Sequence, residues 1–232
     1  MKRFEYSQPK SAEDVFQYLN NDSIIKAGGI DILDLMKEGL TEPKRLVNIR
    51  NIAELNYVQE NNDGSVSIGP TITLAYLSEN EIVKKHFPSL SSSAGLVASP
   101  QIRNSATLGG NLCQRPRCWY FRSNDFNCSR KGGEECFALL GENKYHAILG
   151  NDSGCAIVHP SATAVSLLAL NASLKISDGK NTKIVSIEEF YVSPEKDITR
   201  ETILNENELI MEVIIPIESK GLKNHYIKLK EK

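Results

Sequence analysis

The chain has 232 residues, room for one large domain or two small ones at the usual ~100–200 residues each. Its 27 Lys and Arg against 29 Asp and Glu leave a net charge of −2, which gives no basic face for a nucleic-acid partner. Hydrophobic residues at 41% and charged residues at 24% are ordinary globular usage and exclude disorder and coiled coil.

Phe4 to Tyr6 reads as a short strand closed by Pro9. Ser11-Ala12-Glu13-Asp14 then reads as a capped helix start, with Val15, Phe16 and Leu19 on one face. Ser23 to Ala27 is a second strand, Ile30 to Lys37 a helix with Ile32, Leu33 and Met36 inward, and Leu46 to Ile49 a third strand. Strands separated by single helices predict a small parallel βαβαβ unit. From about Ala53 the pattern changes. Tyr57-Val58 and Ser65 to Ile68 flank an Asn62-Asp63-Gly64 turn, a hairpin signal. Thr73 to Ser92 is helical with an interruption at Pro88, and Ser161 to Leu170 is a helix starting behind Pro160. Ser173 to Ile176 and Lys183 to Ser186 make a second hairpin around Asp178-Gly179, and Glu208 to Ile215 is a last strand stopped by Pro216. The second part is therefore α+β.

No apolar run approaches the ~20 residues of a membrane span. No apolar stretch follows the charged start Met1-Lys2-Arg3, so no signal peptide is read and a cytoplasmic location is expected.

Three segments could carry chemistry. Lys26-Ala27-Gly28-Gly29-Ile30-Asp31 places a glycine pair between strand and helix, where the backbone can approach a ligand and a helix N-terminus suits a pyrophosphate. It lacks Rossmann and Walker spacing, so a plain strand–helix turn is the alternative. Ala106-Thr107-Leu108-Gly109-Gly110-Asn111 is a second glycine-rich turn with Asn111 as a polar tip, or again only a turn. His159-Pro160-Ser161 opens a helix that could present N–H groups or the Ser161 hydroxyl.

All five cysteines fall within residues 113–155, a distribution that points to a metal or redox site in a cytoplasmic chain. Cys118, Cys128, Cys136 and Cys155 show none of the close C-x₂₋₄-C pairs of zinc sites and none of the short ferredoxin gaps. A long loop can still wrap a cluster, because closure entropy rises slowly with length. Arg103, Arg115, Arg117, Arg122, Arg130 and Lys131 face only Asp125 across residues 103–131, and such cations would offset an anionic iron–sulfur core. Four reduced buried cysteines remain the other reading. Trp119, Tyr120 and Phe121 would shield either from water.

Taken together, these motifs resemble the FAD-binding subunit of the molybdenum hydroxylases, the xanthine dehydrogenase and carbon monoxide dehydrogenase group. The A-G-G-x-D loop, the segment Ile102 to Asn111 and the strand Glu208 to Pro216 occur in that family's order, and the likeness runs to about Lys230. The stretch Gln114 to Arg122, with Cys128, Cys136, His146 to Gly150 and Cys155, is similar to the subgroup with an extra 4Fe-4S cluster. That subgroup contains aldehyde oxidoreductase and 4-hydroxybenzoyl-CoA reductase β-subunit types.

The resemblance implies an α+β fold, the two-part FAD-binding fold of the molybdopterin dehydrogenase (PCMH-type) group. Residues 1–53 and 54–218 would be its two subdomains, and residues 219–232 the start of a C-terminal domain. Lys26, Ala27, Gly28, Gly29, Ile30, Asp31, Ile32 and Leu33 would hold the FAD pyrophosphate. Ala106, Thr107, Gly109, Gly110 and Asn111 would line the flavin, Ser161 would contact FAD, and Ile210 and Lys228 would approach the isoalloxazine. Cys118, Cys128, Cys136 and Cys155 would ligate the 4Fe-4S cluster, with Cys113 a bystander. The implied partners are a molybdopterin-binding large subunit and a 2Fe-2S small subunit, and the chain would pass electrons to an external acceptor. Three departures stand out: Ile30 where the family usually has Thr or Asn, Ala162 where it usually has Asp, and an end at Lys232. They leave two alternatives, an FAD-free interaction subunit stabilised by zinc or a cluster, and a free-standing flavin oxidase. Because the glycine pair and the cysteines are far apart in sequence, the two cofactors are expected to bind independently.

Overall fold

Strand β1 (Glu5–Ser7), helix α1 (Ala12–Val15), strand β2 (Ser23–Lys26), helix α2 (Ile32–Lys37) and strand β3 (Arg45–Asn48) build the predicted βαβαβ unit. The three strands are parallel in the order β1-β3-β2. This is a computed structural model, and it describes residues 1–150 and 154–229. Residues 230–232, the end of the expected third segment, lie outside the described residues. Ser11 caps α1, its hydroxyl accepting from the Asp14 backbone N–H at 3.1 Å, but the helix is a single turn. Phe16 and Leu19 therefore lie beyond it and only half-buried. In α2 the inward residues are Leu35 and Met36. Ile32 and Leu33, expected to share that face, are half-buried because the first turn of α2 borders an open cleft that Ile32 lines.

The second part holds a five-stranded antiparallel sheet. Its strands are β4 (Val58–Glu60), β5 (Val66–Ile68), β6 (Ser173–Ser177), β7 (Thr182–Ser186) and β8 (Leu209–Ile215), in the order β4-β5-β8-β6-β7. Both predicted hairpins are present. The last strand does not sit at an edge: it inserts between them, pairing with β5 and β6. Helices α3 (Leu74–Glu79), α4 (Glu81–His86) and α5 (Pro88–Gly95) fill the predicted helical stretch, and Pro88 occupies a first-turn position where its missing N–H costs nothing. Short helices α6 (Pro100–Arg103) and α7 (Leu108–Leu112) precede the cysteine loop, and α8 (Ala162–Ala169) and α9 (Ile187–Phe190) follow it.

Side chains alternate along β8, and this alternation joins the two parts. Leu209 packs into the first part's core with Val47, Ile49, Ile52 and Leu55. Its neighbour Ile210 belongs to the large core of the second part, with Phe87, Leu108, Leu167 and Phe190. A register shift between β6 and β8 follows directly, where Lys175 pairs with Glu212 but Ile176 with Ile210. A third, smaller core holds Leu35 of α2 against Cys118, Phe121 and Cys128, so the cysteine loop packs on the first part. Among the described residues, no helix is long and apolar enough to cross a membrane.

Candidate flavin cleft and cysteine cavity

A cleft of about 650 Å³ opens between the two parts, within the ~300–1,000 Å³ of ordinary cofactor pockets. Ala27 to Ile32 form one wall, and Ala106, Thr107, Gly109, Gly110 and Asn111 the other, so the two glycine-rich turns meet across it. Their backbones abut so closely that a Cβ on Gly28 would collide with the Ser105 carbonyl. Gly29 has φ +80°, a left-handed conformation that side chains rarely adopt, and its added Cβ would press Lys26 and Leu33 at 3.0 and 3.1 Å. Neither glycine is a plain turn residue. One permits the close approach and the other the chain reversal into α2.

Lys26 and Leu33 are not in the cleft lining. Lys26 points its Nζ at the Asn48 amide oxygen, 3.3 Å away, and burial, then the Arg50 charge, lower its pKa. Arg50 is a strap that the sequence reading missed. Its guanidinium donates to the carbonyls of Ser105 at 2.8 Å and Asn104 at 3.1 Å, which clamps the second turn onto the first part. Ile210 lines the cleft as expected, and Cys113, Gln114 and Phe121, which were not assigned to it, line it too. The walls around Cys113 hold its thiol protonated, with a pKa pushed up to about 12, although the residue is open to the cleft.

Two expected contacts fall elsewhere and one has a second task. Asn111 lines the cleft and is also a buried bracket, its Oδ1 accepting from Ser161 Oγ at 2.7 Å and Thr163 Oγ1 at 2.6 Å, which locks α7 to α8. The Ser161 hydroxyl is occupied by that bond and by capping α8, and its residue is outside the cleft lining. Lys228 is exposed in the terminal segment, which Asn224 ties to Ser89 in the first turn of α5, and it does not line the cleft. Beside α8 the His159 ring packs on Tyr191 at 4.5 Å, and burial lowers its pKa to about 4.

Cys118, Cys128, Cys136 and Cys155 all line a second, small cavity of about 10 Å³, with Tyr120, Phe121 and Phe137 as its aromatic walls. The spacing that fits no compact metal motif is thus gathered by the fold. No cysteine is in a disulfide. Two nitrogens face the sulfurs: Arg130 Nε donates to Cys155 Sγ at 3.1 Å, and His146 Nε2 lies 3.1 Å from Cys118 Sγ. Burial raises the Cys118 pKa and lowers that of His146. Among the described residues, no three Cys, His, Asp or Glu are drawn together tightly enough to form a metal-ion site. The donor chemistry suits a thiolate-held cluster.

The cations of this region are not free, and their carboxylate partners come from distant segments. Arg122 pairs with Asp31 at 2.7 Å and Asp34 at 3.1 Å, and Arg117 with Asp31 at 3.4 Å. Arg115 and Arg130 both pair with Glu201. Asp31 also accepts from the Arg115 backbone N–H at 2.9 Å, so the second residue after the glycine pair anchors the cysteine loop. Lys131 donates to the Tyr120 and Ser123 carbonyls.

A parallel βαβαβ unit and an antiparallel sheet facing each other across a cleft with two opposed glycine turns define a dinucleotide-cofactor module, and the cleft's shape and chemistry fit FAD. Residues 2–218 match the FAD binding domain in molybdopterin dehydrogenase, and the chain belongs to that family. It is 33% identical over 237 residues to the aldehyde oxidoreductase FAD-binding subunit PaoB of Escherichia coli (strain K12), covering 100% of this chain and 74% of that protein. It is 28% identical over 234 residues to the carbon monoxide dehydrogenase medium chain of Hydrogenophaga pseudoflava, covering 99% of this chain and 64% of that one. Among solved structures it superposes on the carbon monoxide dehydrogenase of the same organism lacking the Mo-pyranopterin moiety. That match has TM-score 0.66 and 27% identity, over 93% of this chain and 59% of that chain. A Cu,Mo-CO dehydrogenase in cyanide-inactivated form, at TM-score 0.73 and 24% identity over 100% of this chain and 65% of that one, shares the fold.

Proposed function

We propose that this chain is the FAD-binding electron-transfer subunit of a molybdenum-containing hydroxylase or dehydrogenase. It would receive electrons from a molybdopterin-binding large subunit through iron–sulfur clusters, with a 2Fe-2S small subunit between them, and pass them to an external acceptor. The observation that carries this reading is the cleft lined by both glycine turns, whose walls are held so close that no Cβ fits between the backbones of Gly28 and Ser105. Ala27 to Ile32, with Arg115 and Arg117 beside them, would hold the diphosphate, and Ala106 to Asn111 with Ile210 the flavin. Bound there, FAD supplies the redox chemistry, while the protein supplies position, charge and exclusion of water. Ile30 and Ala162 leave this intact, because backbone contacts do not depend on those side chains.

The four-cysteine cavity is proposed to hold a 4Fe-4S cluster, which would place the chain in the cluster-bearing subgroup. Its support is the convergence of Cys118, Cys128, Cys136 and Cys155 on one aromatic-walled cavity with an Arg130 N–H directed at sulfur. The cysteine loop also exposes Leu140 at 98%, Ile148 at 91% and Leu149 at 79%, apolar surface suited to a partner subunit. Arg122 is not available for that contact, because Asp31 and Asp34 take up its guanidinium. A cytoplasmic location belongs to the same proposal.

An absorbance spectrum of anaerobically purified protein tests both cofactors, with flavin mass after heat release. FAD and iron together are expected. FMN, or a colourless protein carrying zinc, would sink the reading.

A further inference from the structure

We infer that Arg130, Glu201 and Arg115 form a charge chain, buried at Arg130 and Glu201 and a third exposed at Arg115, that joins the cysteine cavity to the cleft and sets the reduction potentials at both ends. The inference rests on the assignment of a cluster and FAD to those two sites. Arg130 is 7% exposed. Its Nε lies 3.1 Å from Cys155 Sγ, and its NH1 donates to Glu201 Oε1 at 3.0 Å and to the Ile198 carbonyl at 3.3 Å. Glu201, 8% exposed, uses its other oxygen to pair with Arg115 Nε at 2.6 Å. Arg115 lines the cleft and lies 4.8 Å from the ring centre of Phe121, and Phe121 walls both cavities.

Such an arrangement is poor evidence for stability, since removing charges from water costs about as much as pairing them returns. It does define a field. Two guanidinium groups against one carboxylate leave an excess of positive charge, which at the buried Arg130–Glu201 end lies in a region of low dielectric, where charges act strongly. A group that accepts an electron gains negative charge, which a nearby cation and an N–H directed at sulfur stabilise. Arg130 therefore raises the potential at the cysteine end, and Arg115 raises it at the flavin end. Glu201 touches neither cavity and lowers both through the two arginines, which makes it a positioning residue.

Redox titration of the purified, cofactor-loaded protein tests this, following the flavin by absorbance and the iron by paramagnetic resonance. Glu201→Gln is expected to shift both potentials upward. Arg130→Gln is expected to shift the iron potential downward, and Arg130→Lys to stay near wild type. Mere loosening that admits water would move Glu201→Gln and Arg130→Gln in the same direction, so same-direction shifts overturn the inference, as do unmoved potentials in Glu201→Gln. If Arg130→Gln loses its iron, Glu201→Gln and Arg130→Lys decide by the same criteria. Wild-type protein without iron overturns the cluster assignment and with it the cysteine end of the chain. The flavin potential of Glu201→Gln then decides the other end, and no shift there overturns it.

Discussion

The carboxylate of Asp31 accepts a hydrogen bond at 2.7 Å from the guanidinium of Arg122, 91 residues further along the chain. One residue follows the glycine pair and the other follows Cys118 within the cysteine loop, so this bond ties the cleft wall to the loop. Both side chains are mostly buried, at 17% and 12% exposed. Arg122→Ala leaves Asp31 with weaker partners and is expected to cost roughly 1–3 kcal/mol, less than the ~3–5 kcal/mol of a fully buried pair. Urea unfolding checks the stability change. A flavin fluorescence titration should show affinity falling at least several-fold, because Asp31 no longer fixes the turn.

Gly28 and Gly29 should fail differently when changed to alanine. Gly28→Ala drives a Cβ into the Ser105 carbonyl and must part the two walls of the cleft, so flavin binding should be abolished. Gly29→Ala meets only the flexible ends of Lys26 and Leu33. Its cost is the positive φ, about 1–2 kcal/mol. It should retain flavin with reduced affinity. Measuring flavin content and the urea midpoint of each variant separates the two cases, and equal loss in both would show that the Gly28 clash is no worse for the cleft than the Gly29 strain.

His159 gives the protein an acid sensitivity. Burial holds its folded pKa at about 4, below the ordinary histidine value near 6.5. Between those values the unfolded chain binds a proton that the folded chain refuses, so this contribution to stability is lost as pH falls from about 6.5 to 4. The linkage is worth about 3 kcal/mol at most. His159→Gln should flatten the slope of unfolding free energy in that window while leaving it unchanged above pH 7.

Much of the fold was legible because its signals are local. Asn62-Asp63-Gly64 and Asp178-Gly179 mark hairpins, and Ser11 and Ser161 mark helix starts, each through atoms a few residues apart. The central place of β8 was not legible, since its partners β5 and β6 lie far back in sequence. The glycine turns of the cleft were found for the same local reason. The polar partners were not: Ser161 reads as a ligand contact, yet its hydroxyl donates to Asn111, 50 residues back. The arginines read as uncompensated for the same cause, because Asp31, Asp34 and Glu201 approach them only in the fold.

That lesson reverses one expectation, that the cysteine site and the flavin site bind independently. Cys118 packs in one core with Leu35 of α2, Phe121 and Cys128, and the same loop supplies Arg115, Arg117 and Arg122 to Asp31. Cys118→Ser removes a thiol from that core and leaves a hydroxyl in its place, which burial penalises unless it finds a partner. Loop displacement would then reach the cleft through Asp31 and through Phe121, which walls both cavities. The variant is expected to lose its iron and also to bind flavin several-fold more weakly. Arg130→Lys, which keeps the charge and leaves this core intact, should retain flavin affinity. Iron and flavin content measured on the same preparations decides the matter. If Cys118→Ser lacks iron but binds flavin like the unaltered protein, the loop and the cleft are independent after all, and the contacts through Asp31 do not transmit the change.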